Sequence, residues 1–264
     1  MSTSSHDLAL AHELAELADA ISLASFGSGD LHVSTKPDRT LVTEADRAVE
    51  FALRERLRQA RPNDGVLGEE LGEEQAAGSA RRWILDPIDG TNNYLRANPI
   101  FATLIALEEE GELTLGMASA PALSHRWWAV RGEGAFRDGR TIRVSTVDRL
   151  EEAQLSYDSL PGFERVGLGE RFLELARRCW RTRAFGDFWQ HMLVAEGAVD
   201  VAVEPHVAFW DLAASKVIVE EAGGRFSDLA GSPRADGGSA ISSNGLMHAE
   251  VVRLLSGGSV SVPF

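Results

Sequence analysis

The sequence predicts a mixed α/β (α+β) protein whose two halves differ in pattern. Two amphipathic helical stretches come first, and a run of short strands with tight turns follows them. Beyond Leu150 strand and helix patterns alternate, which marks helices layered on a sheet. The division falls near Val144–Leu150, between an N-terminal α+β half (1–145) and a C-terminal α/β half (146–264). The expected arrangement is one sandwich with its site in the cleft between the halves.

Residues 7–26 carry Leu10, Leu14, Leu17 and Ile21 at helical spacing. Thr43 has the character of an N-cap, with Glu44 and Asp46 in the first turn. Ala45, Val49, Leu53 and Leu57 then share one face of a helix that stops before Pro62. Val66–Leu67 and Trp83–Leu85 read as short strands, and Phe101–Leu107 with Glu112–Ala120 as a hairpin closed at Gly111. Arg126–Val130, Ala135–Phe136 and Thr141–Val144 are further strands, the last two joined by an Asp138-Gly139 turn. In the second half the expected strands are Ala153–Tyr157, Thr182–Ala184, Val199–Val203, Arg225–Phe226 and Ala240–Ser242. The expected helices are Leu168–Trp180, Phe188–Glu196, Leu212–Ala222 and Met247–Leu255, with a loose Gly/Ser-rich tail from Ser256 to Phe264.

The chain has 264 residues, 44% of them apolar, enough for a sizeable core. No apolar run approaches the roughly 18 to 20 residues that span a membrane, and the polar start Met1–Asp7 lacks a signal-peptide pattern. The single cysteine, Cys179, excludes an internal disulfide and fits a packed thiol in a reducing cytoplasm. A net charge of −14 repels nucleic acid and anionic membranes. It also repels a phosphorylated metabolite unless bound cations reverse the local sign. Most of that charge is accounted for by solubility alone.

The stretch Trp83-Ile84-Leu85-Asp86-Pro87-Ile88-Asp89-Gly90-Thr91-Asn92 is the most informative. An apolar strand runs into two carboxylates three residues apart and then a Gly-Thr turn. Burying two acids beside a core strand is costly without a cation. Hard cations such as Mg²⁺ take carboxylate oxygens together with substrate phosphate, and a turn feeding a helix offers free amides to an anion. Asp46, Glu69 and Asp211 also sit at element ends. Each has a plainer reading. Asp46 complements the helix dipole, Glu69 lies in the acidic patch Glu69–Glu74, and Asp211 reads as an N-cap or an acid at the first helical position. Gly68, which lets the backbone turn closely, favours a role for Glu69. No His or Cys spacing supports zinc.

Gly68-Glu69-Glu70, the Asp86 stretch, and Trp210-Asp211-Leu212-Ala213-Ala214 resemble, in order and separation, three signatures of the inositol monophosphatase-like family of Mg²⁺-dependent, Li⁺-sensitive phosphatases. Lys36…Asp38 with Leu41-Val42-Thr43-Glu44-Ala45-Asp46 resembles its N-terminal motif, and Glu220-Glu221-Ala222-Gly223-Gly224 its late helix-end motif. The resemblance runs from about Leu8 to Leu255 and implies the layered α/β/α/β/α sandwich shared with fructose-bisphosphatases. It implies that Glu69, Asp86 and the Ile88 carbonyl hold one Mg²⁺, that Asp86, Asp89 and Asp211 hold a second, and that Glu69 helps place a weaker third. Mn²⁺ is a possible substitute. Gly90 and Thr91 would donate amides to phosphate, while Thr91 and Asp46 orient and deprotonate the attacking water. Two cations can stabilise entering and leaving oxygens of a phosphoryl transfer, and one lowers the pKa of its water. A homodimer is also implied, with the exposed-looking Trp127-Trp128 pair either at its interface or in the core.

The alcohol half of the ester is expected to meet Arg183-Ala184-Phe185-Gly186-Asp187-Phe188-Trp189-Gln190-His191 and Glu204. Arg183 reads equally as a substrate contact, a subunit contact or a surface residue. Polyol phosphatases of the family carry small hydroxylic residues after the glycine, and this chain has Asp187, Phe188 and Trp189 instead. Acids beside aromatic faces suit a cationic, partly aromatic group, or the rings simply pack as a helix start. The segment resembles the histidinol-phosphatase branch, which implies hydrolysis of L-histidinol phosphate in histidine biosynthesis. The alternatives are an inositol-1-phosphatase or broad sugar phosphatase, and a non-enzymatic metal- or phosphometabolite-binding protein. His191 and His206 are expected near the pocket as packed residues.

Overall fold

The computed structural model describes residues 3–28, 33–35, 41–76 and 78–256. The Lys36 and Asp38 of the N-terminal motif and the tail 257–264 lie outside them. Helices α1 (Thr3–Ser25) and α2 (Glu44–Ala60) flank a small hairpin, β1 (Val33–Thr35) with β2 (Leu41–Thr43). The cap of α2 forms as its sequence requires. The Thr43 hydroxyl accepts from the amides of Ala45 and Asp46 at 3.1 and 3.3 Å, and Thr43 N–H donates back to Asp46 Oδ2 at 2.8 Å.

Eight strands then build one sheet: β3 (Gly65–Gly68), β4 (Gly72–Glu74), β5 (Arg81–Asp89), β6 (Ala102–Glu109), β7 (Glu112–Ala120), β8 (His125–Val130), β9 (Gly134–Arg137) and β10 (Arg140–Thr141). Helix α3 (Thr91–Leu95) follows β5. The strand order is β10-β9-β8-β7-β6-β5-β3-β4, antiparallel except where β3 runs parallel to β5. A second sheet of β11 (Gln154–Tyr157), β12 (Arg181–Arg183), β13 (Val201–Glu204), β14 (Arg225–Ser227) and β15 (Ala240–Ser243) has the order β12-β11-β13-β15-β14. Its helices are α4 (Leu160–Arg165), α5 (Gly169–Arg178), α6 (Asp187–Ala195), α7 (Phe209–Glu221) and α8 (His248–Ser256).

Three of the apolar cores among the described residues stack these elements into an α/β/α/β/α sandwich. Leu14 of α1 and Leu53 of α2 pack on Trp83 and Ile105 at one face of the large sheet. Ile84 and Leu104 on the opposite face meet Met192 of α6 and Ile218 of α7, which also cover Ala202 and Phe226 of the small sheet. The outer face of that sheet, Leu155, Val203 and Ile241, packs on Phe163, Leu175 and Val251 of α4, α5 and α8. Along β13 the alternation is strict, with Val201 and Val203 outward and Ala202 toward α6 and α7.

Several elements differ from expectation. The strand expected at Trp83–Leu85 extends from Arg81 to Asp89, because both its faces are covered. The acidic patch after Glu69 contains the exposed edge strand β4, paired to β3 through its backbone. The strand expected over Thr141–Val144 stops at Thr141. Of the tryptophan pair, Trp127 is buried and donates Nε1–H to Glu196 at 2.5 Å. Its neighbour Trp128, on the other face of β8, is half-buried and stacked on Phe136 at 5.8 Å. Cys179 is half-buried, and burial, with Asp200 nearby, pushes its thiol up to about 12, so it is an inert packed thiol.

Helix α7, which carries Asp211 in its first turn, crosses the large sheet at a glycine. A Cβ on Gly116 of β7 would lie 2.4 Å from the Ala214 carbonyl oxygen. Gly116→Ala is therefore expected to lower stability by about 1–3 kcal/mol, measured by urea unfolding. An unchanged midpoint would mean that the helix does not bear on the strand this closely.

Candidate active site

Strand β5 ends in the site because of where its faces point. Ile84 lies toward the α6–α7 layer and Trp83 and Leu85 away from it, so Asp86 inherits the inner direction. Pro87 has no N–H for the ladder, and the register with β6 shifts between Asp86 and Asp89. The chain curls there, and Ile88 N–H donates to Asp86 Oδ1 at 3.1 Å. The parallel strand β3 ends just before this curl, its Gly68 paired with Leu85. Glu69 follows it, its N–H donating to the Leu85 carbonyl at 3.2 Å. Asp211 comes from across the cleft on the third residue of α7, rather than at its cap or first position, and accepts from Ala208 N–H at 3.1 Å.

Glu69, Asp86 and Asp211 each place a carboxylate oxygen within 4.8 Å of the other two. Burial, reinforced first by Glu69 and then by Asp89 and Asp211, raises Asp86 well above the usual carboxylate range. Burial and Glu69 push Asp211 up to about 8. Asp89, 8% exposed, is also raised well above that range, by burial and then by Asp187 and Asp211. These are acids that oppose one another's ionisation. The donors are all oxygen, with no cysteine or histidine among them, which fits a hard divalent cation that would relieve the repulsion.

Asp46 is fully buried beside this group. Thr43 holds its Oδ2 through both N–H and hydroxyl, at 2.8 and 2.5 Å. Its other oxygen faces Thr91, whose hydroxyl lies 3.4 Å from Asp46 Oδ1 and 3.1 Å from the Ile88 carbonyl. Burial raises the Asp46 pKa against the opposing effect of the Thr43 hydrogen bonds. Gly90 turns the chain into α3 at φ 81°, and no side chain caps that helix start.

A second set of acids lies beside the first. Gly186 (φ 67°) and Asp187 (φ 47°) swing the chain into α6, a left-handed pair that is uncommon for a non-glycine residue. Asp187 accepts from Asn93 Nδ2 at 2.8 Å, and burial with Glu204 and Asp158 close by pushes it up to about 7. Glu204, 5% exposed at the end of β13, is gripped by Gln190 Nε2 at 2.5 Å and lies 3.4 Å from His191 Nε2. His191 is buried against Ser242, and His206 is exposed.

Three expectations for this pocket need revision, the first being that His206 is packed, since it is exposed. The Phe188 ring is 1% exposed and packs 6.0 Å from Trp127, so only its N–H reaches the site, donating to Asp89 Oδ2 at 2.6 Å. The half-buried aromatics here are Phe185 and Trp189, in edge contact at 5.1 Å. Arg183 is exposed on β12 and donates to the neighbouring Thr182 carbonyl. Asp158, which sequence reasoning missed, follows β11 and is raised by burial and by Glu204. The signal was available, since it is one more acid at a strand exit.

The inositol monophosphatase family profile matches residues 5–257. The chain is 52% identical over 257 residues to the histidinol-phosphatase of Mycobacterium tuberculosis, covering 96% of this chain and 98% of that protein. It is 50% identical to the histidinol-phosphatase of Streptomyces coelicolor, covering 95% and 97%. The fold is similar to the extragenic suppressor protein suhB from Bartonella henselae, at TM-score 0.89 and 31% identity over 96% of this chain and 100% of that one. An inositol monophosphatase from Zymomonas mobilis is similar at TM-score 0.86 and 32% identity, covering 97% and 100%. The chain belongs to the inositol monophosphatase family.

The raised acids set a pH dependence. Asp211 and Asp187 titrate near 3.8 when unperturbed and near 8 and 7 in the fold. Between these values the native protein holds protons that the unfolded chain has lost. Their contribution to stability is complete below about pH 4 and disappears as pH rises toward about 8. A divalent cation on the site offsets that loss, so the rise in Tm on adding it should be larger at about pH 8 than at about pH 5. Equal shifts at both pH values would contradict this assignment of the charges.

Proposed function

We propose that the protein is a Mg²⁺-dependent phosphatase that hydrolyses L-histidinol phosphate to L-histidinol and phosphate. The observation that carries this reading is the pairing of two acid groups. Glu69, Asp86 and Asp211 form an oxygen-donor set for cations. Beside them lie Asp187, Glu204 and Asp158, where burial, reinforced by the charges of Glu204 and Asp158, raises Asp187 to about 7. The first group suits a phosphate that arrives with metal, and the second suits a cationic alcohol. Histidinol carries an ammonium group and an imidazole, whereas a neutral polyol gains nothing from such a wall. The identity to two proteins named histidinol-phosphatase supports the same choice.

In this reading Glu69, Asp86, Asp89, Asp211 and the Ile88 carbonyl hold the magnesium. Bound divalent cations neutralise phosphoryl oxygens and acidify water. The protein supplies the rest. The backbone at Gly90 and Thr91 offers helix-start amides to the phosphate oxygens. Thr91 Oγ1 orients the attacking water and relays its proton to Asp46, which its environment makes a better base than an exposed aspartate. Water oxygen bonds to phosphorus, the ester P–O bond breaks, and the alcohol oxygen takes up a proton. Asp187 and Glu204 hold the amine end so that the ester lies in line. Lithium sensitivity, a homodimer and a cytoplasmic setting follow from the family reading as further expectations.

Two measurements test this. The kcat/KM for histidinol phosphate should exceed that for inositol 1-phosphate by about tenfold or more, equivalent to about 1.4 kcal/mol. A preference for inositol phosphate would overturn the substrate assignment. Asp46→Asn should lower kcat by about 10²–10⁴ while the cation-induced Tm shift persists. A wild-type kcat in that variant would remove Asp46 from the proton path.

A further inference from the structure

Asp46 is one of three charged residues spaced four apart on α2, followed by Glu50 and Arg54, and all three are buried. Helical spacing places them on one face. Glu50 is fully buried and Arg54 6% exposed, a pair the reaction described above does not use. Arg54 Nε donates to Glu50 Oε1 at 2.8 Å.

The partners of the pair outside α2 lie in the turn between β3 and β4 and in β4 itself. Glu50 Oε2 accepts the N–H of Glu70 at 2.7 Å, and Oε1 accepts that of Leu71 at 3.1 Å. Arg54 Nη2 donates to the Gly72 carbonyl at 2.5 Å, and Nη1 lies 3.6 Å from Glu74. A Cβ on Gly68 would fall 2.0 Å from Glu50 Oε1, so the carboxylate occupies the place of a side chain at that residue.

These contacts bracket Glu69. The peptide plane before its Cα is held by Glu69 N–H on the Leu85 carbonyl, one residue from Asp86. The plane after it is held by Glu70 N–H on Glu50. With both planes fixed, the backbone dihedrals of Glu69 are fixed, and with them the direction of its side chain toward Asp86 and Asp211. Buried ion pairs contribute little net stability, and replacing one with apolar residues is often neutral. Fold stability alone is a weak account of this one.

We propose that Glu50 and Arg54 are positioning residues that set the metal affinity of the centre by holding Glu69 in its ligating orientation. This rests on the reading of Glu69 as a metal ligand. Groups that orient a metal ligand typically alter affinity by about 10- to 100-fold when removed.

The experiment titrates Mg²⁺ into the metal-free full-length protein by calorimetry and follows kcat against Mg²⁺ concentration. A Gln at position 50 loses the second acceptor oxygen and the charge that pairs with Arg54. Glu50→Gln should weaken Mg²⁺ binding by about 10-fold or more and raise the Mg²⁺ needed for half-activation alike, with kcat recovering most of its value at saturation. Asp7→Asn is the control. Asp7 is a buried acid of α1 bound to Arg61 and Arg81 at 2.8 and 2.9 Å, away from the turn. It should lower Tm while leaving Mg²⁺ affinity within about twofold of wild type.

Glu50→Gln behaving like Asp7→Asn, with lower Tm and unchanged affinity, would overturn the proposal. If Glu50→Gln does not fold, Arg54→Lys reads the same quantity. It keeps the charge and loses the forked contact to Gly72, so it should also weaken Mg²⁺ binding, and unchanged affinity there overturns the proposal equally. Glu69→Gln separates the two readings. Unchanged affinity in Glu69→Gln defeats the metal assignment itself, whereas loss in Glu69→Gln without loss in Glu50→Gln defeats only the positioning role.

Discussion

The structure is organised around the mutual repulsion of carboxylates held together in a poorly solvated cleft. Glu69, Asp86 and Asp211 come within 4.8 Å of one another, and Asp89 adds its charge alongside. Proteins rarely keep such a group without a compensating charge. A proton or a divalent cation would supply that compensation, and burial with Glu69 close by raises Asp211 to about 8. The −14 net charge belongs to the same logic. A molecule this acidic repels phosphate esters, and cations bound at its centre would turn the repulsion into attraction locally.

Layering is what allows the acids to meet. Strand β3 ends where its Gly68 pairs with Leu85 of the parallel strand β5, which places Glu69 and Asp86 side by side. The central helical layer brings Asp211 from α7 and Asp187 from α6 onto the same cleft. The close crossing of α7 over Gly116 fixes how far Asp211 can stand from the strand ends. Glu69, Asp86 and Asp211 are therefore each tethered by a different element, and the packed cores of the sandwich hold those elements in place.

The acids that converge in the cleft were legible in the chain as candidates, because strand and helix ends are marked by local chemistry. An apolar strand running into Asp86-Pro87-Ile88-Asp89-Gly90-Thr91 has few uses without a cation. The pocket wall was harder to read. Gly186 and Asp187 adopt left-handed backbone, and that sends the Phe188 ring into the core and its N–H toward Asp89. A helix start gives no sign of its rotation in sequence, so Phe188 and Trp189 could not be told apart as core and rim. Asp158 obeyed the same strand-exit rule as the others and was simply passed over. Nothing local in the sequence marks Glu50 and Arg54, two charged residues beside the apolar face of a helix. They are buried because the β3–β4 turn folds over them, and that contact spans about 20 residues of chain.

What the sequence determined alone was the identity and order of its chemistry: oxygen donors at strand and helix ends, a capped Asp46, acids in place of hydroxyls after Gly186, and a two-part alternation of helices and strands. These are properties of periodicity and residue type, which neighbours in the chain enforce. Only the tertiary structure decided which acids converge, which aromatic rings are fully buried, and that a buried glutamate–arginine pair grips the turn carrying Glu69. Those outcomes depend on the phase of each helix and the register of each strand across distant segments. Both are set by core packing rather than by any local preference.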